Sequence, residues 1–195
     1  MRIVGGILGG RRITAPPSME TRPTSDRVRE GIASALEARD LIRQANVLDL
    51  FAGTGAFSFE MLSRGAQRAT LVENNPRSVA TIRANAGQLN LHERIDLIRY
   101  DLSRPLKSLA QARLAELGPF DLIFFDPPYA QVNMIGRLVE ELSSSSLFAS
   151  SAVVVAEFPT TEQPEPPAWL QITNVYPYGD TSVLLGTVTS ATDGV

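Results

Sequence analysis

The 195-residue chain contains no cysteine and a single histidine, His92. Without thiols it can form no disulfide, no thiolate nucleophile and no cysteine-based zinc cluster, and any serine–histidine triad would have to be built on His92. That histidine sits in NLHER, which reads as a helix-end loop with a solvated side chain. No apolar run approaches the roughly eighteen residues that would span a bilayer. The opening RIVGGILGGRR also lacks the charged start, apolar stretch and small-residue cleavage site of a secretory leader, so a soluble cytoplasmic protein is expected. With 44% hydrophobic residues, the chain suffices for one well-buried core and a small appendage.

An excess of positive charge is also missing. The net charge of −3 argues against a general polyanion binder, but the average conceals an asymmetry. Residues 1–29 carry Arg2, Arg11, Arg12, Arg22, Arg27 and Arg29 against Glu20 and Asp26, a net +4, which leaves −7 for the rest. A basic arm on an acidic body suits local contact with phosphates; a solvated arginine-rich terminus is the plainer alternative.

What is present is a regular alternation. RIVGGILGGRRITAPP has β-branched residues broken by two Gly-Gly pairs, which predicts a short twisted hairpin with too few side chains for a core of its own. Val28, Ile32, Ala35 and Leu36 fall at helical spacing, with Thr24 or Ser25 placed to cap and Asp26 at the positive helix start. Strands are expected at 46–52, 68–74, 94–101, 120–126 and 152–158, with helices near 56–64, 76–89, 105–117 and 132–146. LQITNVYPY and TSVLLGTV read as a closing antiparallel pair, and SSSS at 143–146 as a frayed helix end. The expectation is an α/β, Rossmann-like, doubly wound sheet of seven strands with an antiparallel last strand. Residues 1–23 would form the basic hairpin arm, and 24–195 the main domain.

The chemistry is expected at the strand ends. The first strand runs into Gly53-Thr54-Gly55 and then a helix, where glycine lets backbone approach a ligand and helix N–H groups face it. No Lys-Ser/Thr follows to make a phosphate loop, and Phe59 and Glu60 stand where a dinucleotide fingerprint has its third glycine. Glu73 ends the second strand about twenty residues on, where a carboxylate can accept from ribose hydroxyls. Asp101 ends the third strand, Asp49 lies near the end of the first and Asp126 closes the fourth, giving four carboxylates on the edge where open α/β sheets bind ligands. Phe51 and Asn74 are grouped with the same expected site. A nucleoside ligand met by carboxylates without a phosphate site points to S-adenosylmethionine, whose sulfonium and ammonium are cationic. Asp121, at the start of its strand, is expected to be a turn residue.

FDLIFFDPPYA holds the second motif. Leu122 to Phe125 are continuously apolar, as in a strand buried on both faces. Pro127 and Pro128 then end the strand, each fixing φ and removing an N–H, so that Asp126, uncapped carbonyls and Tyr129 are expected on a stiff rim.

Together, VLDLFAGTGAFSFEMLSRGA and DPPY resemble the class I S-adenosylmethionine-dependent methyltransferases. RIVGG, GRRI, RPTSDRVRE and the closing YGDT narrow this to a resemblance to the RsmD family, which methylates the exocyclic N2 amine of a guanine in small-subunit (16S) ribosomal RNA. The resemblance implies that Asp126 and the Pro127 carbonyl accept hydrogen bonds from the amine, that Pro128 keeps them rigid, and that the Tyr129 ring stacks on an extruded base. It places Arg22 and Thr24 beside the cofactor and RNA pocket, with Arg2, Arg11, Arg12 and Arg29 as further RNA contacts. The implied partner is naked rRNA or an assembled or assembling 30S-type subunit, met by a monomer without a metal. DNA adenine-N6 methyltransferases share DPPY, but no long insertion is present to recognise DNA. Release-factor glutamine methyltransferases usually carry asparagine at the position of Asp126 and a helical N-terminal domain. A noncatalytic RNA-binding assembly factor is the remaining alternative.

Overall fold

The computed structural model describes residues 1–15, 26–106, 108–143, 147–162 and 165–189. Along the chain run α1 (Asp26–Glu37), β1 (Asn46–Leu50), α2 (Ala56–Ser63), β2 (Arg68–Glu73), α3 (Pro76–Leu89), β3 (Ile95–Arg99) and α4 (Ser108–Leu117). These are followed by β4 (Phe120–Phe125), α5 (Met134–Ser143), β5 (Phe148–Pro159), β6 (Leu170–Tyr178) and β7 (Thr181–Val188). The sheet order is β3-β2-β1-β4-β5-β7-β6. Pairs β1–β2, β2–β3 and β4–β5 are parallel, whereas β7 runs antiparallel to both β5 and β6. This is the expected doubly wound class with its antiparallel close. The chain divides into two compact units, Met1–Asp101 and Leu102–Val195. The expected boundary at residue 23, the caps Thr24 and Ser25, and residues 144–146 of the serine run lie outside the described residues.

In the first unit Leu48 lies opposite Thr70, and Leu71 opposite Leu97. Val47, Leu48, Leu50, Ala69, Leu71 and Val72 are buried, as expected of parallel strands covered on both faces. Helix α3 begins where Asn75 Oδ1 accepts the N–H groups of Arg77 (2.8 Å) and Ser78 (3.4 Å), with Pro76 already preset for the first turn.

Every residue of α2 is buried, including Ser58, Glu60 and Ser63. A helix can be buried all round only if its polar side chains find partners, and the N-terminal arm supplies most of them. Glu60 accepts the N–H groups of Val4 (2.7 Å) and Gly5 (2.8 Å) and Nε of Arg64 (2.8 Å). Ser63 Oγ accepts from Leu8 N–H at 2.9 Å and donates to the Gly5 carbonyl at 2.5 Å. Burial opposes the charge on Arg64, but the hydrogen bond and charge of Glu60, then those of Glu37, outweigh it and hold its pKa above the ordinary value. At Gly6, with φ +72°, a Cβ would lie 2.1 Å from the Ser63 carbonyl oxygen, so only glycine fits this approach.

The arm itself is a minimal hairpin. One antiparallel bridge joins Arg2 to Arg12, Ile3 N–H donates to Arg11 O at 3.0 Å, and Gly6–Leu8 form a single 3-10 turn. Ile3 and Ile13 are buried against the body, while Arg2, Arg11 and Arg12 are exposed. Arg11 also donates to the Gln88 carbonyl at 2.8 Å, a cation placed favourably at the carboxyl end of α3.

Arg29 departs from its expected role as an RNA contact. It is 1% exposed, and its Nη2 donates to the Arg2 carbonyl (2.6 Å) and to Asp26 (2.8 Å) while Nε lies 3.7 Å from Glu60. The reason is helical phase, because Arg29 shares the inward stripe of α1 with Ile32, Ala33 and Leu36.

In the second unit Leu122 to Phe125 are buried, with Ile123 opposite Val154. The YGDT motif is the two-residue turn joining β6 to β7: Tyr178 pairs with Thr181, and Gly179 takes φ +67°. Thr160 N–H donates to the Asp180 carbonyl at 2.9 Å and its hydroxyl to the Gly179 carbonyl at 3.0 Å. Asp121 is exposed at the start of β4, and His92 is exposed. Among the described residues, no helix is long and apolar enough to cross a membrane.

Glu60→Ala leaves the buried Arg29 and the half-buried Arg64 without their shared carboxylate and two arm amides without an acceptor. It is expected to destabilise the protein by about 3–5 kcal/mol, the range for breaking one side of a buried ion pair. A urea midpoint equal to that of the wild type would remove Glu60 as the anchor of the arm.

Candidate functional site

At the end of β1 the backbone turns sharply through three positive φ values: Phe51 (+66°), Gly53 (+56°) and Gly55 (+76°). Ala52 N–H donates to Val72 O at 3.1 Å and Gly55 N–H to Ala52 O at 2.7 Å, which ties the turn to the neighbouring strand. Gly55 is the N-cap of α2 and has no side chain with which to cap the helix. A Cβ there would lie 2.8 Å from Phe59 Cε2 and 3.1 Å from Leu71 Cδ2.

The structure brings Glu73 to this loop. Its Oε2 accepts the Gly53 N–H at 2.7 Å, and its Oε1 accepts the Asn75 N–H at 2.7 Å. Both oxygens keep a further lone-pair direction, so the carboxylate is held in place and can still accept from a ligand hydroxyl. The side chain is half-buried, which leaves it reachable.

The other first-unit candidates divide. Asn74 is exposed, and its carbonyl accepts from Arg99 Nε at 3.3 Å. Asp101 is half-buried and stands two residues beyond β3, while Tyr100 N–H donates to the Glu73 carbonyl at 3.2 Å. Phe51 is half-buried. Asp49 is 1% exposed and accepts the Ser58 hydroxyl at 2.6 Å, so it has a task absent from the sequence reading: it holds α2 against β1. The sequence signal for this was Ser58, nine residues on, in a helix with no exposed face.

In the second unit Asp126 is half-buried where β4 ends, Pro127 is buried and Pro128 is exposed. Tyr129–Gln131 then form a 3-10 turn closed by Gln131 N–H donating to the Pro128 carbonyl at 2.7 Å. The expectation of uncapped carbonyls is therefore corrected at Pro128, whose oxygen is used to tighten the turn. Arg22 and Thr24 lie outside the described residues.

A family model described as conserved hypothetical protein 95 matches residues 1–187. The chain belongs to this family, the RsmD methyltransferases. This RsmD-family chain is 34% identical over 158 residues to ribosomal RNA small subunit methyltransferase D of Escherichia coli K12, covering 80% of this chain and 74% of that one. Its fold matches the Escherichia coli protein designated methyltransferase yhhF with a TM-score of 0.81 and 27% identity, covering 97% and 98% of the two chains. An RNA methyltransferase from Salinibacter ruber, solved in complex with S-adenosyl-L-homocysteine, matches with a TM-score of 0.63 at 16% identity, covering 89% and 98%, a likeness of fold.

For an RsmD-family chain with this loop, Gly55→Ala forces a side chain into a positive-φ position and against Phe59. A loss of about 1–3 kcal/mol is expected, the cost of such backbone strain, read as a lowered urea midpoint. A midpoint unchanged to within a few tenths of a kcal/mol would show that the loop tolerates a Cβ.

Proposed function

We propose that the protein transfers a methyl group from S-adenosylmethionine to the N2 amine of a guanine in small-subunit ribosomal RNA. The observation that carries the cofactor half is Glu73, fixed by the Gly53 amide at the tip of β2 with acceptor capacity to spare. The rRNA half is supported by family membership and by the relative named as a small-subunit rRNA methyltransferase.

Glycine backbone and acidic side chains suit a cationic nucleoside, and Glu73 would accept from its ribose hydroxyls. When bound, S-adenosylmethionine supplies an electrophilic methyl group on sulfonium. The target amine is a weak nucleophile, because its lone pair is delocalised into the guanine ring. Asp126 and the Pro127 carbonyl accept its N–H groups and hold the lone pair in line. Rigidity from the two prolines lowers the reorganisation needed as the nitrogen becomes tetrahedral. Asp126 acts as an oriented acceptor and need not take a proton before transfer. The methylated nitrogen, cationic once the methyl group has left the sulfonium, would then lose its surplus proton to Asp126 or to water. Tyr129 stacks on the extruded base, and the exposed Arg2, Arg11 and Arg12 contact phosphates.

The direct test is methyl transfer from labelled S-adenosylmethionine to small ribosomal subunits, naked rRNA, duplex DNA and release factor in parallel. Label recovered as N2-methylguanosine from small-subunit rRNA is expected. Label in adenine or glutamine would replace this reading with one of its rivals, and no transfer to any of the four would leave the assembly-factor alternative.

Two variants separate the roles. Glu73→Ala is expected to weaken S-adenosylmethionine binding by about 1.5–3 kcal/mol, typical of lost hydrogen bonds to a charged acceptor. Calorimetry showing wild-type affinity would take Glu73 out of the cofactor site. Asp126→Ala is expected to slow single-turnover methylation by about 10² or more, with cofactor affinity far less affected. Turnover at the normal rate would end the assignment of chemistry to DPPY.

A further inference from the structure

One leg of the arm meets the middle residue of the glycine loop directly, and the other reaches it through a buried side chain of α3. Thr54 is 5% exposed, and its hydroxyl donates to Met1 Sδ at 3.6 Å, while the Met1 carbonyl accepts from Ile13 N–H at 3.2 Å. On the other side stands Asn85 of α3, 1% exposed. Its Oδ1 accepts the Thr14 N–H at 2.9 Å, and its Nδ2 donates to the Thr14 carbonyl at 3.0 Å and, more weakly, to the Thr54 carbonyl at 3.4 Å. One amide side chain therefore pairs with both backbone groups of a single arm residue, as a neighbouring strand would, and touches the loop whose Gly53 amide is held by Glu73.

An amide is costly at such a position. Asn85 lies on the buried stripe of α3 with Ser78, Val79, Ile82, Ala86 and Leu89, where an aliphatic residue would pack without any requirement for partners. Its three hydrogen bonds answer that cost only while the arm and the loop are both in place. If either moves, buried polar atoms lose their partners, so the two positions are energetically linked.

We propose that Asn85 is a positioning residue that couples seating of the RNA-contacting arm to binding at the cofactor loop, so that each event strengthens the other. The inference rests on the methyltransferase reading above, with Gly53-Thr54-Gly55 as the cofactor loop.

Linkage makes the test reciprocal: the factor by which a seated arm tightens the ligand is the factor by which the ligand stabilises the arm. The experiment measures S-adenosylhomocysteine affinity by calorimetry, and amide hydrogen exchange at Ile13 and Thr14 with and without saturating S-adenosylhomocysteine. In the wild type, exchange at these amides should slow on the order of tenfold, within the usual range of coupling between sites. Asn85→Ala should lose a similar factor in affinity and show no ligand-dependent slowing at Thr14. A purely structural Asn85 would lower stability yet leave the slowing intact. The coupling is overturned by wild-type protein that binds S-adenosylhomocysteine without protecting Thr14, a result that needs no variant to fold. It is equally overturned by Asn85→Ala protein that shows the wild-type slowing. Absence of binding to the wild type would instead overturn the cofactor reading, and the coupling with it.

Discussion

A carboxylate sealed inside the first unit sets the terms for its surroundings. Glu60 is fully buried with Arg64 beside it and Arg29 within 3.7 Å, and such a charge is tolerable only when its oxygens are hydrogen-bonded and a cation is close. Two of the hydrogen bonds come from backbone amides of the arm, at Val4 and Gly5. The N-terminal residues are thus bound by the hydrogen-bonding requirement of a buried carboxylate as well as by apolar contact. Ser63, Asn85 and Arg29 add further hydrogen bonds to a short arm in which only two isoleucines are buried.

From that anchor the order extends to the glycine loop. Helix α2 carries Glu60 and Ser63 toward the arm and Ser58 toward Asp49 in β1, so its first turn cannot drift. The loop that feeds it contains Phe51 at φ +66°, a conformation that costs a non-glycine residue of order 1–3 kcal/mol. Backbone hydrogen bonds to β2 and the Glu73 carboxylate hold that strain in place. A ligand meeting this loop finds it already shaped, which is the condition for binding without paying to order the chain.

The two motifs differ in how they become rigid. In the first unit rigidity is assembled from distant partners, since Glu73 reaches back twenty residues to Gly53. In the second it is local and covalent: Pro127 and Pro128 restrict their own and the preceding backbone, and one hydrogen bond from Gln131 closes the turn. Local constraints of the second kind are visible in any sequence that contains them.

That difference explains what could be read in advance. Strand and helix periodicity, the glycine loop, Glu73 at a strand tip, the DPPY turn and the antiparallel close through Gly179 all express short-range rules of backbone sterics and apolar patterning, and the sequence by itself determined them. It could not assign partners to polar residues that lie on apolar stripes. Arg29 looked like one more arginine of a basic arm until its helical phase turned it inward to Asp26 and the Arg2 carbonyl. Glu60 stands out in the sequence only where a dinucleotide fingerprint has a glycine, Asn85 carries no signal, and Asp49 is expected among the ligand-facing acids. Their partners include residues from 9 to 71 positions away. Only the tertiary structure decided them, because a buried hydrogen bond is specified by two groups meeting in three dimensions, and neither group's own neighbourhood in the chain records the other.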